Sequence, residues 1–326
     1  MNDLLTVSYD LRAPEFGASP SDLYQAALDQ AAWADRVGFD AIHVMEHHGS
    51  EDGYLPSPLV FAAAVAARTT RIRIWVSALV LPLHDPVMAA EELAVLDLIS
   101  AGRLTVVVAA GYRRSEFDMF GRPFASRAAL VDAGVEVMTR AWTGEPFTYR
   151  GRTARVRPRP LQRPRIPIVL GGGSEGSARR AARIADGYRP SKPGLVDVYL
   201  DELRRLGKGA PDIAPSLAGH PTTFVTHDVE ATWRAIGPHA LHDTNSYVEW
   251  TKDQPGVYRQ QSATTAEDLR EAGGHLVLTP DEAVDRVRRG EGLHLKPLLG
   301  GLEPHASWRS LHVIEKDVLP RLQRPC

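Results

Sequence analysis

Glu46-His47-His48 sets a carboxylate beside two imidazoles directly after residues 39–45, a stretch that reads as a strand. An imidazole held out of water can take or give a proton near neutral pH, and a neighbouring carboxylate can fix which ring nitrogen carries it. Alone, the same triplet also fits a polar strand end with solvated histidines. No H-E-x-x-H pattern or second histidine pair at ligand spacing accompanies it, so no metal site is expected.

Gly171-Gly172-Gly173-Ser174-Glu175-Gly176-Ser177 follows a second strand pattern at residues 166–170 and opens a helix. Glycines let backbone N–H groups approach a phosphate, hydroxyls add donors, and the helix N-terminus adds partial positive charge. A tight strand-to-helix turn explains one or two glycines, whereas three followed by Ser-x-x-Ser point to an anion site. Gly111-Tyr112-Arg113-Arg114-Ser115-Glu116-Phe117 follows residues 104–109, a third strand pattern. Its arginines could hold the anionic edge of a cofactor, and Tyr112 and Phe117 could wall a planar ring. Alone it reads as a surface loop; its weight comes from convergence with the other two.

That convergence needs a scaffold that gathers strand ends at one place. Strand patterns at residues 5–11, 39–45, 72–81, 104–109, 166–170, 187–189, 222–226 and 293–298 alternate with helical patterns at 21–37, 57–69, 85–100, 126–143 and 175–186, with a further helix after 222–226 and a closing one at 304–322. Ser21-Asp22 and Asp85-Pro86 are the expected helix caps, and Gly38 a helix stop. In the last helix Trp308, Leu311, Ile314, Val318 and Leu322 form an amphipathic stripe. About eight β/α units emerge, which predicts an α/β (β/α)8 TIM barrel in a single domain over 1–326, with active-site loops at the C-terminal ends of its strands. Insertions are expected before strand five, at 145–165, and before strand eight, at 245–274; the second reads as a mobile lid.

Composition narrows the partners. With 38 Lys+Arg against 40 Asp+Glu, the formal net charge of -2 gives no global field to recruit nucleic acid or an anionic membrane. The arginines at 150, 152, 155, 157, 159, 163 and 165 are interleaved with prolines rather than aromatics, the pattern of a solvated insertion. No signal-like N-terminus and no apolar run of roughly 20 residues is present, so a cytoplasmic protein acting on a small molecule is expected. The only cysteine, Cys326, excludes an intrachain disulfide.

The ordered series of motifs resembles the bacterial luciferase-like monooxygenase superfamily over nearly the whole chain. It runs from Met45-Glu46-His47-His48 through Val80-Leu81-Pro82-Leu83-His84-Asp85-Pro86-Val87, Ala90-Glu91-Glu92, Leu96-Asp97-Leu98 and Ser100-Ala101-Gly102-Arg103-Leu104. It continues through Gly111-Tyr112 to Phe120-Gly121, the glycine cluster with Ala185-Asp186-Gly187, and Thr279-Pro280-Asp281-Glu282-Ala283.

The resemblance implies a barrel, often a homodimer, that binds dissociable reduced FMN, or alternatively the deazaflavin coenzyme F-420, in its mouth. A separate flavin reductase could supply the reduced cofactor. By position His47 matches the family's general base or hydrogen-bond partner, with Glu46 beside it. Ser77-Ala78 sits where the family has a bulged or cis peptide behind the ring. Gly111, Tyr112 and Arg113, with Gly171, Gly172, Gly173, Ser174 and Ser177, fall on the cofactor-binding stretches. The FMN version implies monooxygenation of a partly hydrophobic organic substrate, the deazaflavin version hydride transfer, and a third possibility is a flavin-binding protein without turnover. Ala110 stands where luciferase proper has an arginine, so light emission is not implied.

Overall fold

The computed structural model describes residues 4–216, 219–252 and 262–322; Cys326 lies outside them. The elements, in chain order, begin β1 (Leu5–Tyr9), α1 (Pro20–Val37), β2 (Ala41–Val44), α2 (Pro58–Arg68), β3 (Arg73–Val80), α3 (Pro86–Ile99), β4 (Leu104–Ala109), α4 (Arg114–Met119) and α5 (Arg127–Trp142). Then come β5 (Phe147–Tyr149), β6 (Arg152–Ala154), β7 (Ile168–Gly172), α6 (Glu175–Ile184), β8 (Gly187–Pro190), α7 (Leu195–Arg205), β9 (Thr222–Val225) and α8 (Val229–Thr251). Last are α9 (Ala266–Ala272), β10 (His275–Leu278), α10 (Pro280–Arg288), β11 (Leu293–Leu295) and α11 (Pro304–Val313).

Nine parallel strands form one sheet in the order β10-β9-β11-β1-β2-β3-β4-β7-β8. With β10 set aside, this is the strand order of a (β/α)8 barrel laid open between β8 and β9, where the described residues show only an isolated bridge, Gly187 to Ile213. All eight of those strands line one central cavity, as Ser8, His43, Trp75, Thr105, Gly171, Arg189, Thr222 and His294 do in turn, so the sheet wraps round on itself. The architecture is α/β of the (β/α)8 type.

Alternation along the strands sets the two faces. Val7, Ile42, Ile74, Val76 and Val106 pack beneath the helices in the main apolar core, while the in-register row Ser8, His43, Trp75 and Thr105 points into the cavity. Helix ends follow the chain's capping chemistry. The Asp85 carboxylate accepts from the Val87 amide at 2.9 Å and Gly38 closes α1 at φ 89°. The cap of α1 is Ser19, accepting from the Asp22 amide, two residues before the expected position, because Pro20 is already helical.

The insertion expected at 145–165 carries an antiparallel hairpin, β5 with β6. α8 continues to Thr251, so residues 245–251 are its last turns rather than the start of an insertion; Asn245, Ser246, Glu249 and Thr251 give this stretch its polar look. β10, which pairs with β9, went unread. The expected lid also covers 253–261, outside the described residues. The helix begun at Pro304 passes into a π-helical turn at Ile314–Val318, with Leu311, Ile314 and Val318 of the stripe buried.

Candidate active site

The cavity has a volume of about 1220 Å³, ample for a cofactor and a small substrate together, and its mouth lies at the C-terminal ends of the strands. β2 ends at Val44 and delivers Met45, Glu46 and His47 to that rim. β3 brings Ser77 and Ala78, joined by a cis peptide beside a break in the β3–β4 register, and β4 brings Gly111 and Tyr112.

His47 is buried and bonded on both ring nitrogens. Nδ1 lies 2.7 Å from Glu116 Oε1, and Nε2 lies 3.0 Å from the Tyr112 hydroxyl. A carboxylate opposite Nδ1 makes that nitrogen the N–H donor and leaves the Nε2 lone pair facing the cavity side. Burial depresses the His47 pKa, against which the hydrogen bond and charge of Glu116 pull upward. The net is a neutral imidazole, able to accept a proton. Glu116 is itself fixed by the His48 amide at 3.0 Å and the Arg113 guanidinium at 3.2 Å.

Glu46 faces away from His47. Its Oε1 accepts from His48 Nε2 at 2.8 Å and His84 Nε2 at 2.7 Å, and Oε2 accepts from the Val80 amide at 2.6 Å. Burial alone would raise this carboxyl, but the bonds from His48, His84 and Val80 outweigh it and hold the pKa down to about 2. Glu46 thus clasps the ends of β2 and β3 together. Glu46, His48 and His84 also bring three potential metal ligand atoms within 4.8 Å of one another, a grouping that local spacing did not reveal; the separations are those of hydrogen bonds.

A buried charge cluster lies behind the mouth. Arg12 pairs with Asp52 at 2.7 Å, Asp10 at 3.2 Å and Asp243 at 3.3 Å, while Lys296 pairs with Asp10 at 2.6 Å and Asp243 at 2.7 Å. The Arg12 guanidinium also sits 4.5 Å from the Trp250 ring centre, 4.8 Å from Tyr54 and 5.0 Å from Tyr247. Tyr54, Tyr112, Tyr247 and Trp250 pack edge-on or tilted around His47. The last two of these come from α8, and they make the wall beside the imidazole aromatic.

On the opposite side, Gly171, Gly172, Gly173, Ser174 and Ser177 line the cavity where β7 runs into α6. Ser174 and Ser177 form a capping box, each side chain accepting from the other's amide. Helical geometry leaves the Glu175 and Gly176 amides without intrahelical partners, and these are the natural donors to an anion. The buried Ser191 hydroxyl, unpartnered, stands beside this turn, its amide donating to the Gly172 carbonyl at 3.1 Å. Arg127 and Arg180 reach the same cavity.

The sequence-read stretches therefore meet, with exceptions in orientation. Arg113 does not line the cavity; it stacks on Trp250 at 4.0 Å and braces Glu116. Phe117 is fully buried behind the mouth rather than walling it. Glu116, Arg12, Lys296, Asp10, Asp243, Tyr247 and Arg127 were missed, since their partners lie far off in sequence. Glu116 alone had a signal: it sits in the Gly111 motif at helical spacing from Arg113.

The family model for luciferase-like monooxygenases matches residues 8–294. The F420-dependent glucose-6-phosphate dehydrogenase of Amycolatopsis mediterranei is 25% identical, with 98% of this chain and 99% of that protein covered. The 4-hydroxyprotoasukamycin monooxygenase of Streptomyces nodosus subsp. asukaensis is 28% identical over 90% of this chain and 85% of its own. Among solved structures, the FMN-bound oxygenating constituent of 3,6-diketocamphane monooxygenase from Pseudomonas putida superposes with a TM-score of 0.71 at 19% identity, covering 100% of both chains. With the order of motifs, the barrel and the furnished mouth all in agreement, this chain belongs to the luciferase-like monooxygenase family.

Proposed function

We propose that the protein is a luciferase-like oxidoreductase that binds dissociable reduced FMN across the barrel mouth and uses it with oxygen to oxidise a partly hydrophobic small organic substrate. The carrying observation is convergence on one cavity: the Ser77–Ala78 bulge, the α6 N-terminus, and the His47–Glu116 pair under an aromatic wall. The residues present fit such a group. The Glu175 and Gly176 amides, the orphaned Ser191 hydroxyl and Arg127 would hold its phosphate, and Gly111 and Tyr112 would border its ring.

When bound, the reduced flavin supplies the two electrons that activate oxygen. The chain's own residues do the rest. Tyr54, Tyr112, Tyr247 and Trp250 keep water from His47. His47 Nε2 takes a proton and returns it through the Tyr112 hydroxyl, with Glu116 holding the tautomer. Glu46 positions the loop rather than touching reactants.

A second reading, hydride transfer with coenzyme F-420, is favoured by the same neutral imidazole backed by a carboxylate, which suits removal of a hydroxyl proton as hydride leaves the neighbouring carbon. The 25% identical F420-dependent dehydrogenase points the same way. Anaerobic fluorescence titration with reduced FMN and, separately, reduced F-420 tests the proposal. Tight binding of FMN alone supports oxygen chemistry; binding of the deazaflavin alone replaces it with hydride transfer; binding of neither overturns both.

The functional unit is a homodimer in this reading, supported by the apolar side chains exposed on α2 and α3: Val60, Met88, Val95, Leu98 and Ile99. A separate flavin reductase is the expected source of reduced FMN. Among the described residues no helix is long and apolar enough to cross a membrane.

A further inference from the structure

A (β/α)8 barrel is ordinarily filled by layers of branched apolar side chains. Here the inward positions of the first four strands, level with one another, are Ser8, His43, Trp75 and Thr105. All four line the cavity, which runs on below the mouth to His294 and Arg189. The interior is therefore hollow and polar where close packing is the rule.

Two buried nitrogens in this lower chamber have no partner. His43 is 7% exposed and Trp75 6%, and neither His43 Nδ1 nor Trp75 Nε1 makes a hydrogen bond. Their rings lie 5.5 Å apart and near parallel, at 31°. An indole N–H can only donate, and a buried donor left unmatched is costly, so the chamber presents an unmet demand for an acceptor.

Burial pushes the His43 pKa well below the ordinary histidine value, and the charge of Arg189, which lines the same cavity, adds to this. His294, stacked on His220 at 3.9 Å and hydrogen-bonded to the Thr6 hydroxyl at 2.8 Å, is held down to about 3 by burial, to which Arg189 again adds. The unpartnered Trp75 N–H, a neutral His43 and the Arg189 guanidinium thus line one cavity, a set of groups suited to a bound anion.

We propose that the barrel interior below the mouth is a second binding site, which takes the carboxylate or phosphate oxygens of a small anion, with Trp75 Nε1–H and His43 as hydrogen-bond partners and Arg189 as counter-charge. Arg189 lies in register with Gly171, so the chamber opens upward onto the α6 turn within one cavity, and the site does not depend on which flavin the mouth accepts.

The test follows the Trp75 indole N–H signal by NMR, assigned through Trp75→Phe, while inorganic phosphate is titrated into the full chain against sodium chloride of equal ionic strength. A saturable shift specific to phosphate, with affinity reduced at least about fivefold in Arg189→Gln and in His43→Phe, is expected. Thermal unfolding checks that each variant is folded, and Thr105→Val, which removes a hydroxyl at the same level, replaces either one that is not. The inference is overturned if the Trp75 signal does not move, if chloride moves it equally, or if the shift survives the chamber variants and is lost in Arg127→Gln, which would assign the anion to the mouth.

Discussion

Glu116 Oε1 stands 2.7 Å from His47 Nδ1 although 69 residues separate the two in the chain. Because Glu116 raises the His47 pKa against the larger depressing effect of burial, removing its charge lets that pKa fall further. Glu116→Gln should lower turnover by about 10- to 100-fold and move the acid limb of the rate profile to lower pH. His47→Ala should cost roughly 10²- to 10⁴-fold with cofactor affinity near native. Steady-state rates from about pH 5 to 9 test both; turnover that survives His47→Ala would remove the imidazole from the chemistry.

The Glu46 clasp should show in stability rather than in cofactor affinity. A carboxyl held down to about 2 from an ordinary 4.5 contributes stability above the latter value, which is lost as pH falls. His84 titrates the other way. Burial would lower it, yet Glu46 raises it above 6.5, so its contribution is complete below that value and lost as pH rises through the raised pKa. The clasp is therefore strongest between the two, and Glu46→Gln should cost about 2–4 kcal/mol near pH 5.5 and less near pH 9. Urea unfolding at both pH values is the check, and equal losses at each would refute the pairing with His84.

Arg12 and Lys296 together face Asp10, Asp52 and Asp243 in a buried cluster. Arg12→Met would leave three carboxylates to one ammonium, and also strips the cation from Tyr54, Tyr247 and Trp250. A loss of about 3–5 kcal/mol is expected, partly recovered in Arg12→Met/Asp52→Asn, as denaturant midpoints would reveal. A double variant no more stable than the single would mean the carboxylates are not what Arg12 serves.

The barrel, most of its strands and the three mouth loops were legible because each is written locally: strand runs, caps and glycine turns. The cluster was not. Asp10, Asp243 and Lys296 lie just after β1, on α8 and just after β11, and nothing in sequence spacing joins them. Strand alternation was legible but passed over. Thr6 and Ser8 against Leu5 and Val7, and His43 against Ile42 and Val44, already describe a sheet with a polar inner face. The helix expected after the strand at 222–226 is α8, but its full run to Thr251 was obscured by Pro238 within it and by the polar residues of its last turns.

The exposed apolar side chains of α3 make the proposed dimer directly testable. Val95 and Leu98 are 44% and 42% exposed, and a charge at either would be harmless on a free surface but repelled in a twofold interface, where each copy meets its own patch. Val95→Glu/Leu98→Glu should halve the mass measured by light scattering at micromolar concentration and leave the unfolding midpoint of the monomer within a few degrees. A native-like mass would remove this face from the interface.

Gly172 offers the sharpest probe of the proposed phosphate site at the α6 turn. A Cβ there would lie 2.5 Å from both Cβ and Oγ of Ser177, so even alanine must push the capping serine aside. The Ser177 hydroxyl donates to the Ser174 carbonyl and accepts from its amide, and displacing it loosens the turn that aims the Glu175 and Gly176 amides. Gly172→Ala should therefore weaken binding of a reduced, phosphate-bearing cofactor at least about tenfold, equivalent to about 1.4 kcal/mol. Binding of riboflavin, which carries the same ring without the phosphate, should change little. Equal weakening for both ligands would show that the turn shapes the ring pocket instead of holding the phosphate.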